Sequence, residues 1–200
     1  MPKDRERRTQ QIIALNNMTF NKKSYSVCGF ETTVSQKDVR IPKKPEMDLV
    51  IINPSIKSML LVEYKCKGES MLYGEQNIEC HYNDYKAILD SAVIKQIKKE
   101  MIKSYILLCK INDIKYDEKD FNADDYKVQI AFLFVDKVLD KDGNVESVIT
   151  DDDYEHAMNM FNNLPQEDLK DVLYIRCETA EIVNLDQWKN VKNSDLKKTI

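Results

Sequence analysis

Two apolar runs separated by a turn set the pattern of this chain. Leu49-Val50-Ile51-Ile52 and Met59-Leu60-Leu61-Val62 carry no polar residue, and Asn53-Pro54-Ser55 between them has the composition of a turn. The pair predicts two successive buried strands over residues 46–67. Polar groups intrude at three points: Asp48 at the start of the first strand, and Glu63 and Lys65 inside the second. With the two-residue period of a strand, Leu61, Glu63 and Lys65 share one face and Val62, Tyr64 and Cys66 the other. A carboxylate and an ammonium on one face of an apolar strand cost free energy unless they pair, hydrogen-bond or bind a metal.

Upstream, residues 3–17 read as a helix with Ile12, Ile13 and Leu15 as its apolar patch. Tyr25 to Val34 reads as a first strand, in which Gly29 permits a bulge or a close backbone approach. Downstream, Gly68 to Gly74 reads as a loop. Ile78, Tyr82, Tyr85, Leu89, Val93 and Ile97 then recur at three- and four-residue spacing and predict one long helix from Glu75 to about Ile102. Ser104 to Cys109 is expected as a strand in the sheet centre beside Met59–Cys66, because both are nearly continuous apolar runs. Tyr126 to Val138 reads as a longer strand, with Asp140 to Asn144 as a turn and Val145 to Ile149 as its hairpin partner. Asp151, Asp152 and Asp153 fit the cap and first turn of an amphipathic helix that buries Tyr154, Ala157, Met158 and Phe161. Asp171 to Cys177 and Glu181 to Leu185 predict two short strands, and Trp188 anchors a polar tail.

Length and composition narrow the class. Two hundred residues suit one domain with a sizeable core, and the absence of a signal peptide or apolar span makes a cytoplasmic protein the expectation. The five cysteines are scattered, with no CxxC pair, and read as reduced core residues rather than a zinc site or disulfide framework. The formal charge of −4 is unevenly spread. Residues 1–48 hold ten Lys and Arg against six acids, and residues 112–171 hold six Lys against seventeen acids. Such a chain can turn a basic face to a polyanion and an acidic lobe away from it, although ordinary solvated faces give the same counts. The acids of residues 113–125 lack the glycine-centred calcium loop pattern.

Asp48, followed by Glu63-Tyr64-Lys65 at the end of the next strand, resembles the motif of the PD-(D/E)xK nuclease-like, or restriction-endonuclease-like, superfamily. The proline of the family signature is missing directly before Asp48, where Met47 stands, with Pro45 two residues earlier. The resemblance covers roughly the first 110 residues. It implies an α/β fold with a restriction-endonuclease-like mixed-sheet core over about residues 3–110, helices on both faces, and a C-terminal α+β elaboration over about 111–200. It further implies a hydrolase: a magnesium- or manganese-dependent nuclease cutting phosphodiester bonds, with DNA as the expected nucleic acid. Asp48, Glu63 and the backbone carbonyl of Tyr64 would hold the metal, and Lys65 would orient or deprotonate water or neutralise the transition state. By position, Glu6 matches the glutamate that many members carry on an N-terminal helix, and Gln76 matches a helix glutamine that touches the site in several families. Glu31 competes with Glu6 as a supplementary acid. His81 reads either as an acid–base or phosphate-contacting group or as a half-buried helix histidine. Arg5, Arg7, Arg8, Lys43 and Lys44 are placed to meet phosphates if that reading holds.

Two other classes stay open: a catalytically inactive, nuclease-like binding or interaction protein of a defence or mobile-element system, and a small transcription or assembly factor. Neither a helix-turn-helix nor a coiled-coil pattern speaks for the latter. No membrane partner is expected, and a homodimer or a protein partner is compatible with either nuclease-like reading.

Overall fold

The computed structural model describes residues 2–16, 25–33, 46–74, 77–140 and 142–191, with the side chains of residues 2–6, 69 and 70 excepted. In chain order its elements are α1 (Pro2–Asn16), β1 (Ser26–Thr33), β2 (Glu46–Asn53), β3 (Ser58–Lys65), α2 (Gly68–Leu72), α3 (Ile78–Leu89) and α4 (Val93–Ile111), followed by β4 (Lys127–Val135), β5 (Lys137–Leu139), β6 (Val145–Ser147), α5 (Asp151–Met160), α6 (Gln166–Leu169), β7 (Val172–Cys177) and β8 (Lys189–Asn190). The fold is α/β. Six strands form one mixed sheet in the order β1-β2-β3-β4-β7-β8, and β5 and β6 form a separate hairpin.

β1, β2 and β3 pair antiparallel, as a tight connection between β2 and β3 allows. That connection is fixed by Asn53, whose side-chain oxygen accepts the Ser55 N–H at 3.1 Å. β3, β4 and β7 run parallel, which requires long crossovers: α3 and α4 supply the one from β3 to β4, and the β5–β6 hairpin with α5 and α6 the one from β4 to β7. Every residue of β3 is buried. Leu61 and Met59 face a core shared with α3, α4 and α5, whereas Leu60, Val62 and Tyr64 face a second core that includes Ile13 of α1 and Val183. Helices therefore cover both faces of the sheet, and the alternation read in Leu61-Glu63-Lys65 separates those two cores. In β1, the register shift between Val27 and Gly29 makes Cys28 a bulge. A Cβ on Gly29 would meet Thr32 Oγ1 at 2.4 Å and Met101 Sδ at 2.7 Å, so the close approach expected there is real.

Four sequence expectations are overturned, the first being the loop expected over Gly68–Gly74, of which Gly68–Leu72 forms α2. The strand expected over Ser104–Cys109 is the last part of α4, where Met101, Ile102, Tyr105 and Cys109 continue a buried helical stripe and Leu107 is 57% exposed. The fourth strand of the sheet is instead β4. The single helix expected from Glu75 to Ile102 is two, because Ser91 breaks it: its hydroxyl donates to Ile88 O at 2.7 Å and accepts the Val93 N–H at 3.2 Å. The strand expected at Glu181–Leu185 is a 3₁₀ turn over Ala180–Ile182, and the edge strand falls at β8. In addition, the Tyr126–Val138 strand divides at Asp136, whose N–H donates to Cys177 O and whose carbonyl accepts from Val148 and Ile149. The aspartates at the start of α5 cap it as expected, although Thr150 holds the cap position and Asp153 completes a reciprocal capping box.

Candidate active site

The β2–β3 ladder is paired as far as Leu49 opposite Val62. Just beyond it, the Asp48 carboxylate accepts the Tyr64 N–H at 2.8 Å. A side chain thus takes over from the backbone where the pairing of the two strands stops, and it brings a half-buried carboxylate beside the Glu63-Tyr64-Lys65 triplet.

Glu63 and Lys65 are 5% and 4% exposed. Lys65 Nζ lies 2.8 Å from Glu63 Oε1. His81, half-buried on α3, brings Nε2 to 3.2 Å from the same oxygen, an ion-pair distance when the imidazole is protonated. One turn further along α3, the buried Tyr85 hydroxyl donates to Glu63 Oε2 at 2.8 Å and lies 3.3 Å from Val62 O. Burial first, and then the negative charges of Glu63 and Asp48, hold the Tyr85 phenol well above its ordinary pKa, so it remains a donor. Lys65 and Tyr85 thus engage the two oxygens of a carboxylate that has about four acceptor positions, with His81 beside Oε1. The arrangement keeps a buried anion solvated by the protein itself.

The structure thus brings together Asp48, Glu63, Tyr64, Lys65 and His81. The Glu6 backbone lies in α1, which packs on the sheet face opposite α3, while its side chain, like Gln76, Lys43 and Lys44, lies outside the described residues. Glu31 pairs with Arg7 of α1 at 3.4 Å and adopts a left-handed φ of 40°. Tyr85 is the site residue that the sequence reading assigned only to the apolar stripe of the helix. Its i+4 spacing from His81 was the available signal.

Among the described residues no group of three or more His, Cys, Asp and Glu side chains is gathered to hold a metal ion. The oxygen donors that the structure brings here are two carboxylates, Asp48 and Glu63. Such a set suits a magnesium-like ion that keeps several water ligands and does not suit structural zinc.

A cavity of about 690 Å³ opens elsewhere, beside the C-terminal end of β7. Its Arg176 is engaged internally: Nε donates to both Asp136 oxygens at 2.9 Å, Nη2 to Asp151 at 2.6 Å, and the guanidinium stacks 4.4 Å from the Tyr154 ring. No described helix is long and apolar enough to cross a membrane. Comparisons with protein families, curated proteins and solved structures give no match.

Proposed function

We propose that this chain is a metal-dependent phosphodiesterase that hydrolyses nucleic acid, with DNA as the foremost substrate class. The observation that carries this reading is the meeting of the Asp48 carboxylate with the Tyr64 N–H beside the buried Glu63–Lys65 pair. The order α1, three antiparallel strands, crossover helices and a parallel strand is also the αβββαβ order expected of a restriction-endonuclease-like core. Asp48, Glu63 and the Tyr64 carbonyl would hold magnesium or manganese. Bound there, such an ion supplies positive charge to a phosphoryl oxygen and acidifies a water molecule. Lys65 places an ammonium at the same carboxylate, where it orients water and opposes the negative charge that grows on the phosphate. His81 is within reach of the same oxygen and serves as a second cationic contact when protonated.

A second reading draws on a different observation. Both Glu63 oxygens are already engaged by residues of the chain, as befits a nuclease-like binding protein in which the network only stabilises the sheet.

Incubating the wild type and Lys65→Ala with linear DNA, circular DNA and RNA, in magnesium, manganese or chelator, separates the two. Cleavage that needs both the metal and Lys65 is the expected result. A folded, pure wild type that leaves all three substrates intact in either metal sinks the nuclease reading for them.

A further inference from the structure

We infer that Tyr85 is the positioning residue of this site, setting the rotation of the Glu63 carboxylate so that Oε1 is presented to Lys65 and His81; the inference rests on the metal-site reading above.

A glutamate carboxylate rotates in a broad, two-fold well about its last torsion, so geometry at one oxygen alone does not fix the group. Lys65 and His81 both approach Oε1. Tyr85 engages the other oxygen, and with the shorter of its two contacts: 2.8 Å to Oε2 against 3.3 Å to the Val62 carbonyl. Its ring is 1% exposed and packed among the residues of the core between α3 and the sheet, so the hydroxyl cannot be exchanged for solvent without moving the helix. Unlike Lys65, it is neutral. It orients the carboxylate without adding a positive charge next to the position a cation would take. Lys65 brings charge, as does His81 when protonated, and Tyr85 brings direction. Hydrogen-bonding partners behind metal-binding carboxylates and imidazoles generally set ligand orientation and affinity.

The test uses manganese as the probe and thermal unfolding as the readout, on the full chain without substrate. Tyr82, on the same helix, supplies the control: it is also a buried tyrosine, but its hydroxyl donates to Asp168 at 2.6 Å, away from the site. In the wild type and in Tyr82→Phe, manganese should raise the melting temperature with the same concentration dependence. In Tyr85→Phe the concentration needed for half of that rise should increase about tenfold. A purely structural tyrosine would lower the melting temperature equally with and without metal. If Tyr85→Phe follows Tyr82→Phe in its manganese dependence, the inference is overturned and the metal-site reading stands. If manganese fails to stabilise the wild type at all, both fall. A measurement that needs no variant guards against misfolding of Tyr85→Phe: the infrared difference spectrum of the wild type on adding manganese should contain a shifted tyrosine C–O stretch. Manganese binding without such a shift also overturns the inference.

Discussion

Lys65 Nζ and Glu63 Oε1 lie 2.8 Å apart, two residues apart on one face of a wholly buried strand. Lys65→Met keeps the bulk of the side chain and removes its charge, leaving the Glu63 carboxylate with His81 and Tyr85 alone. Breaking a buried pair from one side costs about 3 kcal/mol. Urea unfolding should show a loss of that order, and Glu63→Gln combined with Lys65→Met should lose clearly less than the sum of the two single changes. Strict additivity would mean that the two groups do not interact.

Gly68→Ala should weaken the α5 end of the molecule. A Cβ at Gly68 would meet the Asp153 carboxylate at 2.4 to 2.7 Å, and that carboxylate is the reciprocal half of the α5 capping box. Loss of such a cap costs about 1 kcal/mol. The measurement is the urea midpoint, with backbone amide exchange at Asp153 and Tyr154 as the local reporter. Unchanged protection at both amides would show that the start of α2 absorbs the methyl group.

Asp153 also predicts a pH dependence. The Thr150 backbone N–H first, and its hydroxyl second, hold this carboxyl below its ordinary value of 3.8. A folded-state pKa lower than the unfolded one contributes stability that is complete above the unfolded value and fades as pH falls through the folded one. The stability difference between wild type and Asp153→Asn should therefore be constant near neutrality and shrink below about pH 4. A difference that grows on acidification would reverse the sign assigned here.

Leu107 distinguishes helix from strand. As part of α4 it is 57% exposed, whereas a central strand would bury it. Leu107→Gln should change stability by no more than about 0.5 kcal/mol, and Tyr105→Ala, at a fully buried position, by about 3 kcal/mol or more. Chemical denaturation of the two variants decides the point; a severe loss for Leu107→Gln would contradict the helix.

Those two residues also show where the sequence was legible. Strands β2 and β3 were readable because two short, wholly apolar runs flank a turn, and Glu63 and Lys65 stood out as charges two residues apart with no reason to be buried alone. Tyr-Ile-Leu-Leu-Cys, by contrast, is apolar at every position and fits a buried strand or a helix equally well. What decides it is the continuation of the Ile97, Met101, Tyr105 and Cys109 stripe against the sheet, a tertiary contact that no short window contains. The break at Ser91 was hidden for a related reason, since the spacing of Leu89 and Val93 runs across it without a change of period. At the site, charged residues announced themselves through their cost. Tyr85 did not, because its ring satisfies the apolar stripe and only its hydroxyl reaches Glu63.

The parallel pairing of β3 with β4 also sets an order of assembly. β1, β2 and β3 can form their meander from local contacts, but β4 lies beyond both crossover helices in the chain, and β7 further still. Glu63 and Lys65 are buried only once α3, with its Tyr85, and β4 are both in place. A chain stopped short of residue 127 would therefore leave the β4-facing edge of β3 unpaired.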